Sequence, residues 1–410
     1  MTAWRAAPHA PASDAALAAA VREETARIVA ALNRSFGSLD VAEEATAGAV
    51  EEALVEWRRR GVPPRPGAWL MTAARRNALD LVRRSRRYRE VLRRAAPAVP
   101  TLPRSAEPDE RIPLLFGCCH PSLSPEAQLA LTLRAVLGVS TAQIARATLE
   151  PSATVGQRIS RAKRKIGAAG VPIRIPAGPA RTARLDPVLA TIAVMYDSAH
   201  LRAESSAEAH RDLADDALWL ARALSVSLPD EPEVHGLRAL LLLHRAREPA
   251  RSVAGELVPL PLQDRARWDD ALVRAGREAL ERAAEVRRPG RWQLHAAIAA
   301  CHADAARQDD TDWAQIVVLY DLLLAVDSSP IVRLNRAVAV AETGGVGAAL
   351  TEVEALAPRL DGYRLWHAVR AELLRRAGRS AEARTAVRSA RELADNEAER
   401  RLLASRLGPE

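Results

Sequence analysis

The chain has 410 residues, which exceeds one compact domain and predicts two or three. It is 48% apolar with few glycines, and its 26 prolines stand at the ends of helical patterns, which is typical of a helix-rich globular protein and not of a disordered one. The net charge is +8, and the excess of basic residues lies before residue 180, which indicates a nucleic-acid-facing part.

Cysteine usage and hydropathy predict a cytoplasmic protein. Cys118, Cys119 and Cys301 do not make a disulfide framework, because a bridge between adjacent cysteines would be strained. The sequence shows no signal peptide and no apolar span of about 18 residues, so no membrane contact is expected.

Hydrophobic periodicity and helix breakers predict an all-α chain. Residues 61–67, GVPPRPG, and 171–179, VPIRIPAGP, interrupt the helical pattern. The predicted elements in chain order are a tail over 1–13, helices over 14–32 and 41–60, the loop over 61–67, a helix over 68–92 that ends in an arginine run, a linker over 93–111, a helix-turn-helix region to about 166, the break over 171–179, and a helical remainder.

Residues 129–169 fit a helix-turn-helix whose second helix carries a basic face. Val155, Ile159, Ala162 and Ile166 recur at helical spacing and predict one buried stripe. Ser152 is the predicted N-cap of this helix. The helix before it, predicted over 140–147, contributes Ile144 and the small Ala145, which allow a close crossing, and the two lysines of the chain, Lys163 and Lys165, lie in the second helix. Two amphipathic helices of an all-α core are the alternative interpretation.

The C-terminal part contains an internal repeat. Three pairs of small residues, each separated by the 34-residue period of tetratricopeptide helix pairs, are Ala337 and Ala371, Gly344 and Gly378, and Ala349 and Ala383. Small residues at these positions allow close helix packing, and residues 313–329 predict an earlier helix of the same type. Because two units are too few for a free-standing array, the helices over 185–302 are expected to stack on them. Coincidence among alanine-rich helices is the alternative.

Motifs for catalysis or for a cofactor are not found. The sequence has no nucleophile elbow, Walker loop, HExxH or paired glycines for a dinucleotide, and its histidines are scattered along helices. Cys118, Cys119 and His120 do not have the spacing of a zinc site, and Cys301 and His302 do not complete one, so buried thiols are expected. We therefore expect no catalysis, no cofactor and no metal.

Several segments resemble the extracytoplasmic-function sigma factors of bacterial RNA polymerase. LDVAEEA at 39–45 resembles the acidic start of their polymerase-docking helix, and PGAWLMTAARRNALDLVRRSRR at 66–87 resembles the helix that reads and melts the −10 element. ERIPLLFGCCHPSLSPEAQLALTLR at 110–134 and the helix-turn-helix resemble domain 4, which reads the −35 element. QDRARWD (263–269), WQLHAAIAACHA (292–303), DTDW (310–313), LNRAVAVAE (334–342) and DGY (361–363) resemble the C-terminal domain of a subgroup with a long helical extension.

The resemblance implies an architecture and partners. It implies an all-α fold with a domain 2 bundle over 14–92, a linker over 93–111, a domain 4 helix-turn-helix over 112–170, a linker over 171–184 and a tetratricopeptide-like α-solenoid domain over 185–410. The implied partners are core RNA polymerase, through its β′ clamp helices and β flap, and promoter DNA. The extension is expected to modulate activity through a regulatory protein or an intramolecular contact.

The resemblance also implies three groups of site residues. Polymerase binding is expected at Asp40, Glu43 and Glu44. The −10 contacts are expected from Trp69, Arg75, Arg76, Asn77, Asp80, Arg83, Arg84, Arg86 and Arg87, and the −35 contacts from Ser152, Thr154, Gly156, Gln157, Arg158, Ser160, Arg161, Lys163 and Arg164.

Residue types and helical positions predict the role of individual residues in the two DNA-binding groups. On the −10 helix, Trp69, Leu70, Ala73, Ala78 and Leu81 are predicted to face inward, whereas the polar set is predicted to face outward or to flank this side, with Asn77 and Asp80 as hydrogen-bonding candidates for a freed base near the 61–67 loop. On the recognition helix, Arg161 suits a bidentate contact to guanine and Gln157 a contact to adenine, whereas Arg158, Lys163 and Arg164 suit phosphates. Gly156 leaves room for DNA to approach.

Three segments depart from the family pattern. TAGAV at 46–50 lacks the larger residues expected after the acidic helix start, Leu149 stands at a turn position where many such proteins have glycine, and YDSAH at 196–200 differs from the family's segment. Two other functions stay open at this point. One is a helix-turn-helix regulator that works without polymerase, and the other is a tetratricopeptide interaction scaffold.

Overall fold

The computed structural model describes residues 10–84, 111–148, 150–171, 173–200, 213–253, 256–394 and 400–403. The predicted all-α class is confirmed, since the strands of the described part are limited to one hairpin, in which the two-residue strands Ser252–Val253 and Glu256–Leu257 pair. Within these same ranges, no helix combines the length and apolar character that a membrane crossing needs. The chain divides into two compact units, Met1–Ser227 and Leu228–Glu410.

The first unit begins with three helices that pack on one another through small residues. Ala42, Ala45, Ala49 and Ala53 are fully buried at helical spacing on the second helix. This packing explains the small residues of TAGAV, since larger side chains would hold the helices apart. The three helices are α1 (Ala10–Phe36), α2 (Leu39–Arg60) and α3 (Pro66–Arg84).

The start of α3 corrects the predicted loop. Pro66 and Gly67, placed in the 61–67 loop by sequence, begin the helix, because proline is favoured in a first helical turn, where its missing N–H costs no hydrogen bond. The described part of α3 ends at Arg84, and the predicted continuation to residue 92 lies outside the described residues.

Four further helices form the helix-turn-helix region. Arg111, predicted as the last linker residue, begins the first of them and is buried, with its guanidinium 3.5 Å from the ring centroid of Trp219. The bounds of the predicted linker stay a prediction, since residues 93–110 lie outside the described residues. The four helices are α4 (Arg111–Cys118), α5 (Pro125–Ala135), α6 (Thr141–Thr148) and α7 (Ser152–Ala168).

Two more helices complete the first unit, α8 (Pro179–His200) and α9 (Leu213–Ser227). The hydroxyl of Thr191 on α8 lies 3.5 Å from the Sγ of Cys119, and Trp219 on α9 stacks on Arg111. The start of the C-terminal extension thus packs against Cys119 of the CCHP segment and against the first residue of α4.

The second unit is built from helical hairpins, and it contains the predicted repeat. Ala337 and Ala371 are buried at matching positions of two first helices, and Ala349 and Ala383 at matching positions of two second helices. The helices are α10 (Pro232–Ala246), α11 (Glu248–Arg251), α12 (Asp270–Glu285), α13 (Arg291–Asp304), α14 (Trp313–Val326), α15 (Pro330–Glu342), α16 (Val346–Ala355), α17 (Ala357–Leu360), α18 (Arg364–Arg376) and α19 (Ser380–Glu392).

Gly344 and Gly378 turn the chain within these two hairpins, between α15 and α16 and between α18 and α19. Their φ angles are +93° and +77°, in a region that L side chains rarely adopt. The predicted role of the two glycines as turn residues is confirmed.

The turn at Gly344 provides a test of the hairpin. We expect Gly344→Ala to destabilise α15 and α16 locally by about 1–2 kcal/mol, because a Cβ at positive φ is strained. Hydrogen exchange of the α15 and α16 amides measures this. Gly347→Ala is the control, since a Cβ there meets open space and φ is helical, and it should leave protection unchanged or raise it. Equal loss of protection in the two variants would contradict the account.

Candidate nucleic-acid interface

The rotation of α7 is fixed by a buried apolar stripe. Val155, Ile159 and Ala162 are at most 5% exposed, whereas Ile166, predicted in the same stripe, is only partly buried near the helix end. Ile144 and Ala145 of α6 are buried as predicted. Because one face of α7 is held in the core, the opposite face is presented to solvent.

The exposed face of α7 carries most of the predicted −35 residues. Gln157 and Arg161 lie one helical turn apart on this face, and neither Arg161 nor Arg164 makes an ion pair within the described part of the chain. These side chains are therefore available to an outside partner. The predicted residues that are exposed are Ser152, Thr154, Gln157, Ser160, Arg161 and Arg164.

The start of α7 differs from the prediction. Ser152 is not the N-cap, because Pro151 holds that position with extended backbone and no side-chain cap hydrogen bond is made. Ser152 is instead the first helical residue and is exposed. Gly156, one turn further on, is partly buried, and a Cβ there would meet Thr141 only at ordinary van der Waals distance, 3.8 Å. Packing within the protein therefore does not require glycine at this position.

Arg158 is occupied within the protein. Its guanidinium donates two hydrogen bonds to the carboxylate of Glu150, at 2.6 Å for the Nη2 to Oε1 pair, with both side chains partly buried. These hydrogen bonds lower the pKa of Glu150 and raise that of Arg158. The pair ties the turn before α7 to its second helical turn, so the phosphate contact predicted for Arg158 would require breaking a bidentate bond.

Lys163 is also occupied, by residues of α2. Its Nζ lies 2.5 Å from Oε2 of Glu43 and 3.3 Å from Oδ1 of Asp40, and its side chain is only 12% exposed. Glu43 is 17% exposed and Asp40 71%. Glu44, the third residue predicted to bind polymerase, is exposed. The structure thus brings together one predicted DNA contact and two predicted polymerase contacts.

The inward side of α3 is largely as predicted. Leu70, Ala73 and Ala78 are buried, and so is Ala74, which sequence reasoning did not assign to this face. Trp69 packs against Trp57 of α2, with ring centroids 5.7 Å apart and planes nearly perpendicular. Leu81 is only partly buried.

Asn77 is partly buried and flanks the inward side of α3, next to α2. Its Nδ2 donates to the carbonyl of Ala45 on α2 at 3.5 Å, and a Cβ at Gly48 would lie only 3.0 Å from that nitrogen. The amide therefore fills the space that Gly48 leaves between α2 and α3. Helical spacing alone could not show this, because the contact depends on a glycine of another helix.

The other residues predicted to contact the −10 element lie toward the exposed side of α3 or outside the described residues. Arg75 is partly buried, Arg76 is exposed and pairs with Glu52 of α2, and Asp80 is partly buried. Arg83 and Arg84 are the last described residues of α3, whereas Arg86 and Arg87 lie outside the described residues.

The CCHP segment packs α4 against α5 and α8. Cys118 and Cys119 are free, buried thiols, as expected, and burial raises both pKa values, that of Cys119 to about 11. His120 Nδ1 lies 2.8 Å from the hydroxyl of Ser122, and the amide of Gln128 donates to the His120 carbonyl. Within the described ranges, no group of three or more candidate ligands could hold a metal ion.

Comparison with known proteins shows which family the helix-turn-helix region resembles. Residues 114–166 match region 4 of the sigma-70 family, and residues 184–284 match a family of unknown function, DUF6596. The region 4 match supports a sigma-70 family factor with a DNA-binding role in transcription. No solved structure matches the chain.

A relative matches nearly the whole chain. An uncharacterized protein of Rhizobium meliloti (strain 1021) is 41% identical over 379 residues, which are 90% of this chain and 90% of the relative. The chain therefore belongs to the same family as this protein.

Gly156 tests whether the exposed face of α7 approaches DNA. We expect Gly156→Ala to stabilise the helix by up to about 1 kcal/mol, because alanine has the higher helix propensity, and yet to weaken DNA binding. Urea unfolding and fluorescence anisotropy on duplex DNA measure the two effects. Gly167→Ala is the control, since it gives the same substitution near the other end of α7 with open space around the new Cβ. If DNA affinity were unchanged in Gly156→Ala, glycine at this position would not be needed for DNA to approach α7.

Proposed function

We propose that the protein is an alternative sigma factor of the extracytoplasmic-function type, which binds core RNA polymerase, recognises −35 and −10 elements and helps to open the promoter. The observation that carries this proposal is α7, whose apolar stripe is buried while Gln157, Arg161 and Arg164 stay exposed, within a segment that matches sigma-70 region 4. In this proposal the protein performs no bond chemistry itself.

Recognition of the −35 element is assigned to α7 in the major groove. Arg161 would contact guanine with its planar fork, and Gln157 one turn earlier would contact adenine. Arg164 would reach a phosphate, which positions the helix without specifying sequence. Arg158 would hold the turn before α7 through Glu150 rather than contact DNA.

Opening of the −10 element is assigned to α3 and the arginines that follow it. Unstacking a base pair costs a few kcal/mol, and capture of the freed base with contacts to its phosphates would offset that cost. Arg75 and Arg76 lie on the part of α3 that the structure describes, where Arg76 pairs with Glu52 of α2.

Docking on the β′ clamp helices is assigned to the exposed face of α2. This face is acidic at its start, at Asp40, Glu44 and Glu51, and apolar further along, where Leu54 is 39% and Val55 68% exposed. Exposed apolar residues that follow exposed acids along one helix suit a partner with a basic and partly apolar surface. Domain 4 would contact the β flap.

The C-terminal extension is proposed to modulate this activity as a tetratricopeptide-like domain. The two hairpins α15–α16 and α18–α19 repeat at 34 residues, and a groove of about 600 Å³ beside them is lined mainly by apolar residues. The occupant would be a regulatory protein or another part of the chain.

Transcription in vitro tests the proposal. Purified protein, bacterial core polymerase and a library of promoter DNA are mixed, and the transcripts are sequenced. The proposal expects discrete start sites that share a two-part upstream motif. Starts that appear only after removal of residues beyond 227, where the first compact unit ends, would make the extension inhibitory. If neither the full chain nor the shortened chain gives transcripts but DNA binding is retained, a regulator that works without polymerase is favoured. The absence of both transcription and DNA binding would favour an interaction scaffold.

Arg161 tests which base contact gives specificity. Arg161→Lys should keep overall DNA affinity, because the charge remains, but should lose about 1–3 kcal/mol of discrimination at one −35 position, because lysine lacks the bidentate fork. Arg164→Ala should weaken DNA binding at all promoter sites to the same extent, because a phosphate contact carries no sequence information. The library assay measures both as base preferences among the start sites. A full set of base preferences in Arg161→Lys would contradict the assignment.

A further inference from the structure

Basic side chains from three elements meet where the end of α7 lies against the CCHP segment. Nζ of Lys165, on the last turns of α7, donates to the carbonyl of Ser122. The backbone N–H of the same Ser122 donates to Nδ1 of His120 at 3.2 Å. Lys165 and His120 therefore flank one short turn, within the first compact unit.

The third basic side chain, Arg184, comes from α8. Arg184, Val188 and Thr191 recur at helical spacing and share one face of this helix. Val188 is fully buried, and the hydroxyl of Thr191 lies 3.5 Å from Sγ of Cys119. Because His120 directly follows Cys119, this face of α8 brings Arg184 to the same turn.

The cluster has donors and positive charge without a counterion. Burial, and after it the charges of Arg184 and Lys165, lower the pKa of His120. Within the described part of the chain, neither Lys165 nor Arg184 makes an ion pair. Since Nδ1 of His120 accepts a hydrogen bond, the neutral ring carries its proton on Nε2, which has no acceptor among the described residues. Three such donors suit an anion with several acceptor oxygens, such as phosphate.

The cluster continues the DNA-facing row of α7. Gln157, Arg161 and Lys165 follow one another at four-residue spacing and are exposed. In a helix-turn-helix the first residues of the second helix contact base edges, so its later turns lie closer to the DNA backbone. Lys165 therefore stands where a phosphate contact is expected, whereas Arg158, which sequence reasoning assigned to phosphate, is held by Glu150.

We propose that Lys165, Arg184 and the Nε2–H of His120 bind one backbone phosphate of the DNA beside the −35 element. The inference rests on the proposed function, since it takes α7 as the helix that reads this element. It makes α8, with which the C-terminal extension begins, part of the DNA-binding surface. Such a contact fixes the position of the helix on the duplex and carries no sequence information.

The salt dependence of DNA binding tests the site. Each phosphate that a protein neutralises adds about 0.9 to the slope of log affinity against log salt concentration. Fluorescence anisotropy of the full chain with a mixed-sequence duplex gives this slope between about 50 and 200 mM salt. The double variant Lys165→Gln with Arg184→Gln should bind more weakly and lower the slope by about 0.9. A slope equal to that of the unchanged chain would overturn the proposal.

Two control variants separate a phosphate contact from a change in structure or in net charge. Lys165→Arg with Arg184→Lys keeps both charges and should keep the slope. Arg388→Gln with Arg391→Gln removes two exposed arginines of α19, in the second unit, and should also keep it. An equal fall of the slope in either control would contradict a phosphate site at this cluster.

The NMR signal of His120 shows which compound supplies the phosphate. The chain is labelled with isotope-enriched histidine, and the signal is assigned with His120→Gln. The duplex should shift this signal in the unchanged chain but not in the double variant. A shift with inorganic phosphate and none with the duplex would overturn the assignment to DNA. A chain that binds no duplex would refute the proposed function, whereas a duplex that binds without moving the His120 signal would refute this site alone.

Discussion

The burial of Val155, Ile159 and Ala162 is the constraint on which the interface of this protein depends. These three residues fix the rotation of α7, and with it they decide which polar side chains point to solvent. Gln157, Arg161 and Arg164 emerge on the open face, whereas Lys163 is directed toward α2. A small rotation of the helix would exchange these roles, so the packing of a few apolar atoms sets both the surface offered to DNA and the charge that is paired inside.

Small residues provide the second constraint, since they set how closely the helices approach. The fully buried alanines of α2 and the repeated alanines of the C-terminal hairpins allow backbones to pack closely, and Gly48 leaves the space that Asn77 fills. A segment such as TAGAV therefore reflects helix packing. It also leaves the exposed face of α2 to Asp40, Glu44, Leu54 and Val55, which lie outside that packed face.

The sequence was informative wherever the determinant is local. Helical spacing predicted the buried stripe of α7, the 34-residue period predicted the turn glycines Gly344 and Gly378, and the lack of metal-ligand spacing predicted the buried thiols. It failed where a distant residue decides. Asn77 fills the space that Gly48 leaves on α2, and Lys163 meets acids some 120 residues away, and no periodicity shows either contact. Ser152 was misassigned because Pro151 already holds the extended N-cap conformation.

The most direct test of the account is whether the full chain binds core RNA polymerase in the place of another sigma factor. Fluorescently labelled protein would be titrated with core polymerase and then challenged with an unlabelled primary sigma factor. The account predicts a one-to-one complex from which the primary factor displaces the labelled chain, because both would dock on the same clamp helices. DNA binding without any association with core polymerase, or association that the primary factor does not affect, would contradict it.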